Sequence, residues 1–480
     1  MSHGHAGLGE STPQSTFYDQ GRFGRLFPTL PPFAEDTPMV RSALVANPAL
    51  SADNPNNPAM TAGMTFFGQF VDHDMTFDPT SSLARRQDPE SIRNFRIPAL
   101  DLDSLYGSGP GVSRHLYDST VDGGQTTLLT EEIPGSAAVS IDGSARRDIP
   151  RNSQNTSLLG DPRNDEHLIL SQFHLAMLRF HNRVVDDVRA ALGPGHTGRE
   201  IFVEAQRIVR WHYQWLVLHE FLEKTVGVAT RDSVLAGPRH YYSWRNNPYI
   251  PVEFSVAAYR FGHSQVRPSY GANFGTNATD PAQQFFALIF DPDSPDTADP
   301  ADLRGGHRAA RRFIDWQTFF DFGDGRVRPN KKIDTTLSSV LFNLMGQPQG
   351  EVTSLASRNL LRSLTMKVAS GQKVARAMGL EELDPHELKD LKDFHLQQRT
   401  PLWFYVLREA QVQTAGERLG AVGGRIVAEV LIGLVRGDSQ SYLQQQPGWL
   451  PTYGTNGTFT FVDLLRAAGV VAAIPPAPAG

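Results

Sequence analysis

The stretch that most constrains the fold of this chain is residues 65–77, TFFGQFVDHDMTF, which places an amide, two carboxylates and an imidazole inside an apolar run. Thr61 precedes it and is predicted to cap a helix. Gln69 and His73 are four residues apart, so on a helix they face the same way, one turn apart, with Asp72 at the edge of that face. The stretch therefore predicts a buried helix with one polar face. That face fits a core histidine satisfied by a neighbouring carboxylate, or a catalytic group.

The composition indicates a globular protein with a large core, because 40% of the 480 residues are hydrophobic and 10% are aromatic. Length alone allows about three domains. The net charge of −6 offers no basic surface for nucleic acid, so no nucleic-acid partner is expected. The absence of cysteine excludes disulfides, thiolate haem ligation, iron–sulfur clusters and cysteine nucleophiles.

The two ends of the chain and its apolar runs bear on location. The longest apolar run, residues 427–435, is far too short to span a membrane. The first ten residues, MSHGHAGLGE, lack a basic segment followed by an apolar one, so no secretory signal is predicted. The chain is expected to be cytoplasmic or exported by a leaderless route. Residues 1–50 are rich in Pro, Gly, Asn and Ser and predict an extended arm, and residues 471–480 predict a mobile tail.

A second polar cluster, GDPRNDE at residues 160–166, precedes a helical pattern that runs to about Leu192. Asn164 or Asp165 is predicted to cap this helix. Arg163 and Glu166 are three residues apart at its entrance. Taken alone, this spacing favours a capping salt bridge over a functional site.

Two further clusters surround the motifs RFGH at residues 260–263 and RNLLR at residues 358–362. Gly262 leaves room for a flat group to approach the imidazole of His263, although a core histidine also fits. Asn359 and Arg362 lie at the start of a helical run, where they also fit an ordinary polar face. A fifth motif, LDLDSLYG at residues 100–107, has acidic residues at alternate positions, which suit either calcium ligation or a turn with solvated aspartates.

These motifs occur in the order GQFVDHD, LDLDSLYG, GDPRNDE followed by HNR, RFGH and RNLLR, over roughly residues 55–450. Each motif is weak alone, but the ordered set resembles the animal-type haem peroxidases, the superfamily of myeloperoxidase, lactoperoxidase and cyclooxygenase. The resemblance implies a mainly α-helical fold. It also implies one large haem domain, residues 51–470, with irregular loops and little β structure, in place of three domains.

The resemblance also implies a function and a set of roles. The chain would reduce hydrogen peroxide through a ferryl haem intermediate and oxidise a small donor such as a halide, thiocyanate or a phenol. His73 would transfer protons, Arg163 would stabilise developing negative charge, and Gln69 would hold a water or a small substrate. The resemblance implies a haem-binding set of Asp72, Glu166, His263 as iron ligand, Arg260, Asn359 as acceptor of the imidazole N–H, and Arg362.

The haem would be derived from haem b and joined by ester bonds to Asp72 and Glu166, the family's positions for these links. The residue after this glutamate is a methionine in myeloperoxidase and forms a sulfonium link to the haem. Here it is His167, which excludes that link and favours bromide, iodide or thiocyanate over chloride.

The family's calcium loop would be formed here by Asp74, Asp101 and Asp103. Ile97 stands where the family has a threonine ligand, so one calcium ligand is missing.

Two alternatives stay open. A fatty-acid oxygenase or dioxygenase would carry a tyrosine three residues before the iron ligand, where this chain has Arg260. A non-catalytic haem or adhesion module would be indicated by loss of His73 or Arg163, and both are present. The sequence leaves the physiological donor and the oligomeric state open.

Overall fold

The computed structural model describes residues 21–46, 54–78, 83–84, 87–244, 248–276, 309–344 and 350–474, and the backbone of residues 50–51 and 285–287. Residues 1–20 of the predicted arm and residues 475–480 of the predicted tail lie outside this set. The domain boundaries at residues 50 and 470 stay a prediction.

Helices dominate the described chain, and the predicted mainly α fold is confirmed. The α-helices span Pro38–Ala46, Ala62–Met75, Asp103–Tyr106, Leu168–Leu192, Gly198–Leu216, Leu222–Val226, Val228–Ala236, Leu355–Thr365, Gly371–Ala377, Leu402–Thr414, Ala421–Gly437, Tyr442–Gln445 and Phe461–Ala467. A π turn at Val217–Phe221 joins the helices Gly198–Leu216 and Leu222–Val226 into one continuous helical segment. None of the helices in the described ranges is long and apolar enough to cross a lipid bilayer.

The β structure consists of short two-stranded pairs, so the expectation of little β structure is also confirmed. Parallel pairs join Phe23–Gly24 to Ile250–Pro251 and Leu50–Ser51 to Thr336–Leu337. Antiparallel pairs join Asn56–Thr61 to Pro329–Lys331, Glu131–Glu132 to Arg147–Asp148, and Tyr270–Asn273 to Phe285–Ala287. Each pair joins two segments of the chain that lie outside the regular helices.

The helix Ala62–Met75, hereafter the His73 helix, lies in the core. Its aromatic residues Phe66, Phe67 and Phe70 are at most 2% exposed. Thr61 occupies the N-cap position as predicted, but its side chain makes no capping hydrogen bond. Carbonyls of a neighbouring segment accept the first helical N–H groups instead: Ala62 donates to Arg328 at 2.9 Å and Gly63 donates to Phe319 at 3.0 Å.

The long helix Leu168–Leu192 ends where the pattern predicted, but its predicted caps are wrong. The N-cap is His167, whose Nδ1 accepts the N–H of Leu170 at 3.3 Å. Asp165 is engaged elsewhere, in an ion pair with Arg151 at 2.7 Å. Asn164 also points away from the helix start and makes the contacts described below.

The segment that carries His263 is not a regular α-helix. It consists of a π turn, Glu253–Ala257, followed by a 3₁₀ stretch, Ala258–Gln265. Such π turns are rare and often occur at functional sites. The described part of the arm lies against this segment, since the buried carboxylate of Glu253 accepts the backbone N–H groups of Leu26 at 3.0 Å and Phe27 at 3.2 Å.

Candidate active site

A cavity of about 570 Å³ lies between the His73 helix and the His263 segment. Its volume is within the usual range for small-molecule and cofactor sites. The structure brings most of the predicted site residues to its wall: Gln69, Asp72, His73, Arg163, Glu166, Arg260, His263 and Arg362. Asn359 does not line the cavity but contacts His263 from behind. One space therefore collects residues that are up to 293 positions apart in the sequence, as the numbers of Gln69 and Arg362 show.

His73 is held through an amide that the sequence analysis did not place in the site. Its Nδ1 lies 2.9 Å from Oδ1 of Asn164, and Nδ2 of Asn164 lies 3.1 Å from Nδ1 of His174. An amide oxygen only accepts, so Nδ1 of His73 carries the proton and donates it. Nε2 of His73 therefore keeps its lone pair. The nearest carboxylate oxygen to this nitrogen in the described chain is Oε1 of Glu166, at 3.9 Å.

The electrostatic environment keeps His73 neutral. Burial, and next the charge of Arg163, lower the pKa of His73 well below its ordinary value. Burial likewise lowers the pKa of His174 to about 3. A neutral imidazole with a free Nε2 can accept a proton from a ligand in the cavity.

Arg163 is fixed by a carboxylate that is fully buried. Nε and Nη2 of Arg163 donate to the two oxygens of Asp161 at 3.2 and 2.8 Å, and Nη2 also donates to the carbonyl of His73 at 2.9 Å. The guanidinium lies over the ring of Phe77, 4.5 Å from its centre. Nη1 makes no hydrogen bond with a described residue, so its N–H groups are available to a ligand in the cavity that Arg163 lines.

Gln69 is bonded at both ends of its amide. Nε2 of His167 lies 2.9 Å from Oε1 of Gln69, and Nε2 of Gln69 donates to Oε1 of Glu166. Burial is the main cause that raises the pKa of Glu166 to about 7, and burial also raises the pKa of Asp72. Both carboxyl groups thus line the cavity with weakened acidity.

The contacts of His263 correct one expectation. Asn359 was expected to accept the imidazole N–H, but its Oδ1 accepts from Nη1 of Arg260 at 2.7 Å and its Nδ2 lies 2.8 Å from Nδ1 of His263. A guanidinium can only donate, so it holds the amide oxygen towards itself and turns the amide nitrogen to the imidazole. Burial lowers the pKa of His263 to about 3, so this ring too is neutral.

The model of one protein family, described as animal haem peroxidase, matches residues 84–393, about two thirds of the chain. The chain belongs to the animal haem peroxidase family. The matched range contains Arg163, Glu166, Arg260, His263 and Asn359 but begins after the His73 helix. The placement of His73 and Gln69 therefore rests on the cavity geometry and on the motif order.

Relatives agree with this assignment. Thyroid peroxidase of Mus musculus is 28% identical over 234 residues, which cover 46% of this chain and 25% of that protein. Chorion peroxidase of Drosophila melanogaster is 25% identical over 362 residues, which cover 72% of this chain and 41% of that protein. This chain thus spans less than half the length of these two animal relatives.

Solved structures share the fold. Peroxidase A from Dictyostelium discoideum aligns over 99% of both chains with a TM-score of 0.59 and 16% identity. The fatty acid alpha-dioxygenase of Oryza sativa aligns over 85% of this chain and 73% of its own, with a TM-score of 0.58 and 14% identity. The same haem-peroxidase fold thus carries proteins with two different names, so the fold does not decide the reaction.

The residues around the cavity fit the haem that the family implies. A Cβ added at Gly262 would meet nothing within 4 Å, so the space next to His263 is open. His263 itself lines the cavity and is only half-buried, which leaves its outer face accessible to a planar group. Gln69, His73 and Arg163 give the same cavity a polar wall at which a small ligand could bind.

The acidic cluster assembles as the sequence analysis expected. Asp74, Asp101 and Asp103 each offer a carboxylate oxygen within 4.8 Å of the others. Burial, and next the charge of Asp101, raise the pKa of Asp74 well above its ordinary value. Close, buried carboxylates of this kind suit a hard cation with oxygen ligands. Ile97 supplies no side-chain oxygen to this cluster.

Sequence analysis missed four residues that organise the site. Asn164 and Asp161 lie inside the GDPRNDE motif, where Asn164 was assigned to the helix cap and Asp161 to no role. His174 lies two turns into the long helix, and the only sign of it in the sequence was a polar residue within an apolar stripe. Tyr259 lines the cavity and donates from its hydroxyl to the carbonyl of Gly68 at 3.1 Å.

Proposed function

We propose that this chain is a haem peroxidase that reduces hydrogen peroxide and oxidises a small donor. The observation that supports it best is the state of His73, a neutral imidazole whose free Nε2 lines the same cavity as Arg163 and His263. A proton acceptor and a fixed cation next to each other match the two demands of peroxide cleavage, which are proton transfer and stabilisation of the leaving oxygen.

The haem, bound through His263, would supply the iron at which peroxide is reduced and the oxidising equivalents passed to the donor. Nε2 of His73 accepts the proton of the inner peroxide oxygen and returns it to the outer oxygen, which leaves as water. Nη1 of Arg163 donates to the outer oxygen as its negative charge develops. Asp161 keeps the guanidinium in place during this step, so no reorganisation is needed.

The peroxidase assignment is preferred over a fatty-acid dioxygenase because of two residues in the His263 segment. Arg260 occupies the position three residues before His263 where the dioxygenases have a tyrosine. Tyr259 lines the cavity, but its hydroxyl donates to a backbone carbonyl, which is a poor acceptor of the proton that a phenol loses on oxidation. A non-catalytic module is disfavoured because His73 and Arg163 are both present and hydrogen-bonded into position.

Further details of the site belong to the same proposal. Asp72 and Glu166 line the cavity and are the residues we expect to form ester bonds to the haem during early turnovers. Arg260 and Arg362 supply positive charge at the cavity for the haem carboxylates. Calcium is the expected cation for Asp74, Asp101 and Asp103. A cytoplasmic or leaderless location stays a prediction.

The test is the visible spectrum of the purified protein, before and after one equivalent of hydrogen peroxide. We expect a Soret band that changes within milliseconds in the wild type. His263→Ala should lose the band, and His73→Leu should keep it but respond to peroxide ~10²–10⁴ times more slowly, the usual contribution of a general base. Gln440→Leu, outside the cavity, is the control. No Soret band after haem is supplied, or a normal peroxide response in His73→Leu, would contradict the proposal.

A further inference from the structure

A continuous line of hydrogen bonds runs from a helix start to the cavity. The backbone N–H of Leu170 donates to Nδ1 of His167 at 3.3 Å, and Nε2 of His167 lies 2.9 Å from Oε1 of Gln69. Nε2 of Gln69 in turn donates to Oε1 of Glu166. His167 is 3% exposed and its ring meets the edge of Phe66, with the ring centres 5.4 Å apart. The imidazole is thus held at both its nitrogens and by one ring contact.

The direction of each bond follows from the first one. A backbone N–H can only donate, so Nδ1 of His167 must be the unprotonated nitrogen. Burial lowers the pKa of His167 to about 3, so the ring is neutral and its single proton is on Nε2. Nε2 must then donate, and only the oxygen end of the Gln69 amide can accept. The nitrogen end is left to face Glu166.

This order matters because the two ends of a glutamine amide have nearly the same shape, so packing alone does not distinguish them. The amide nitrogen carries two hydrogens. Glu166 accepts one, and the second makes no hydrogen bond with a described residue. Gln69 lines the cavity, so this second N–H is available to a ligand there.

We propose that His167 is a positioning residue that fixes the Gln69 amide with its N–H groups towards Glu166 and the cavity. Through Gln69 it determines that an N–H group, and not a carbonyl oxygen, faces a small anion such as thiocyanate or bromide in the cavity. The inference rests on the proposed function for its choice of anion, but the orientation of the amide does not depend on haem. The start of the long helix thereby determines, through His167, which end of the Gln69 amide faces a substrate in the cavity.

The substitution His167→Asn separates this role from simple helix capping. Asparagine is a good N-cap and keeps an acceptor for Leu170, but its side chain is too short to reach Gln69. His167→Leu removes both contacts. Gln69→Leu removes the amide itself, and the double variant Gln69→Leu with His167→Asn shows whether His167 acts through Gln69.

The first readout is the dissociation constant of thiocyanate, taken from the change in the visible spectrum of the resting haem protein. We expect His167→Asn to weaken thiocyanate binding about fivefold to tenfold, the loss of roughly one hydrogen bond. In the Gln69→Leu background His167→Asn should add no further loss. A dissociation constant within twofold of the wild type in His167→Asn, or an equal further loss in the Gln69→Leu background, would overturn the proposal.

The second readout needs no haem. In haem-free protein labelled with ¹⁵N-glutamine, the side-chain N–H pair of Gln69 is identified by its absence in Gln69→Leu. We expect one strongly shifted, slowly exchanging proton, because Glu166 accepts it, and loss of that shift in His167→Asn. An unchanged pair would refute the orienting role. A wild-type protein with the shifted pair but no haem binding would instead refute the proposed function alone.

Discussion

Asn164→Leu is the substitution that tests most directly how the chain prepares His73. Leucine branches at the same carbon as asparagine but is larger, and it has neither an acceptor nor a donor. The change breaks two buried hydrogen bonds, to Nδ1 of His73 at 2.9 Å and to Nδ1 of His174 at 3.1 Å. Each imidazole would keep one unsatisfied nitrogen, because His73 and His174 are 5% and 1% exposed and water has little access.

The magnitude follows from the number of groups left without a partner. A buried polar group that loses its partner costs ~1–3 kcal/mol, so we expect the free energy of unfolding to fall by about 2–6 kcal/mol. The peroxide reaction should also slow. Without the amide oxygen, the proton of His73 is no longer held on Nδ1, and a ring with its proton on Nε2 cannot accept one from peroxide. We expect a loss of at least about tenfold and at most the ~10²–10⁴ that a general base contributes.

The assay pairs urea unfolding of the haem-free protein with stopped-flow measurement of the peroxide-dependent spectral change. Asn182→Leu is the matched control, because Asn182 also makes two hydrogen bonds, to the N–H and C=O of Leu128 at 2.8 Å each, away from the cavity. Both variants should lose stability, but only Asn164→Leu should lose rate. Equal peroxide rates in the two variants would show that the tautomer of His73 does not depend on Asn164.

Three other changes follow from single features of the structure. Gly262→Leu should abolish the Soret band by filling the open space beside His263, whereas Gly262→Ala, whose Cβ meets nothing within 4 Å, should keep it; equal haem binding would place the haem elsewhere. Burial raises the pKa of Glu409 to about 7 from 4.5, so the folded chain holds a proton that the unfolded chain has lost between these values. The free energy of unfolding should therefore fall as pH rises through this window, by at most ~1.4 kcal/mol per pH unit, and urea unfolding at pH 5 and 7 should show a flatter dependence in Glu409→Gln. Removal of calcium with a chelator should lower the melting temperature of the wild type but not of Asp101→Asn, and an equal response in both would exclude a cation at the acidic cluster.

Helix positions could be predicted from the sequence because they depend on local periodicity. The apolar stripe of the long helix predicted its end at Leu192, and the structure places it there. The caps could not be predicted in the same way. A capping side chain is chosen among several local candidates by contacts made elsewhere, and Arg151 engages Asp165 while His73 engages Asn164. Because both candidates are engaged in other contacts, His167 caps the helix.

The set of cavity residues could also be predicted, but only through the order of motifs. No local pattern places Gln69 near Glu166, which is 97 residues away, or His263 near Asn359, which is 96 residues away. The family resemblance supplied the pair of His263 and Asn359, and it placed Gln69 and Glu166 in one site without pairing them. Asn164 was missed as a site residue because the family's roles fall on its neighbours Arg163 and Glu166. Its own position indicated only a helix cap.

Neither local patterns nor the family resemblance predicts which atom of such a pair donates and which accepts, because that depends on a third group. The Gln69 amide takes its direction from the N–H of Leu170 through His167, and the Asn359 amide takes its direction from the guanidinium of Arg260. With the oxygen of Asn359 on Arg260, Nδ1 of His263 accepts, and the neutral ring keeps its proton on Nε2. An imidazole that binds iron through Nε2 needs the opposite arrangement, with Nδ1–H donating to the amide oxygen.

If His263 binds haem iron through Nε2, the Asn359 amide would have to turn over. Nη1 of Arg260 then faces an amide nitrogen and needs a new acceptor. The carboxylate of Asp72 is the candidate acceptor, since it lines the same cavity and is already stabilised by the charge of Arg260. Arg260 would thus couple the His263 side of the cavity to a carboxylate on the His73 helix. Arg260→Gln should free the Asn359 amide, and if the rate of haem uptake by the haem-free protein were unchanged in that variant, the amide turn would not limit loading.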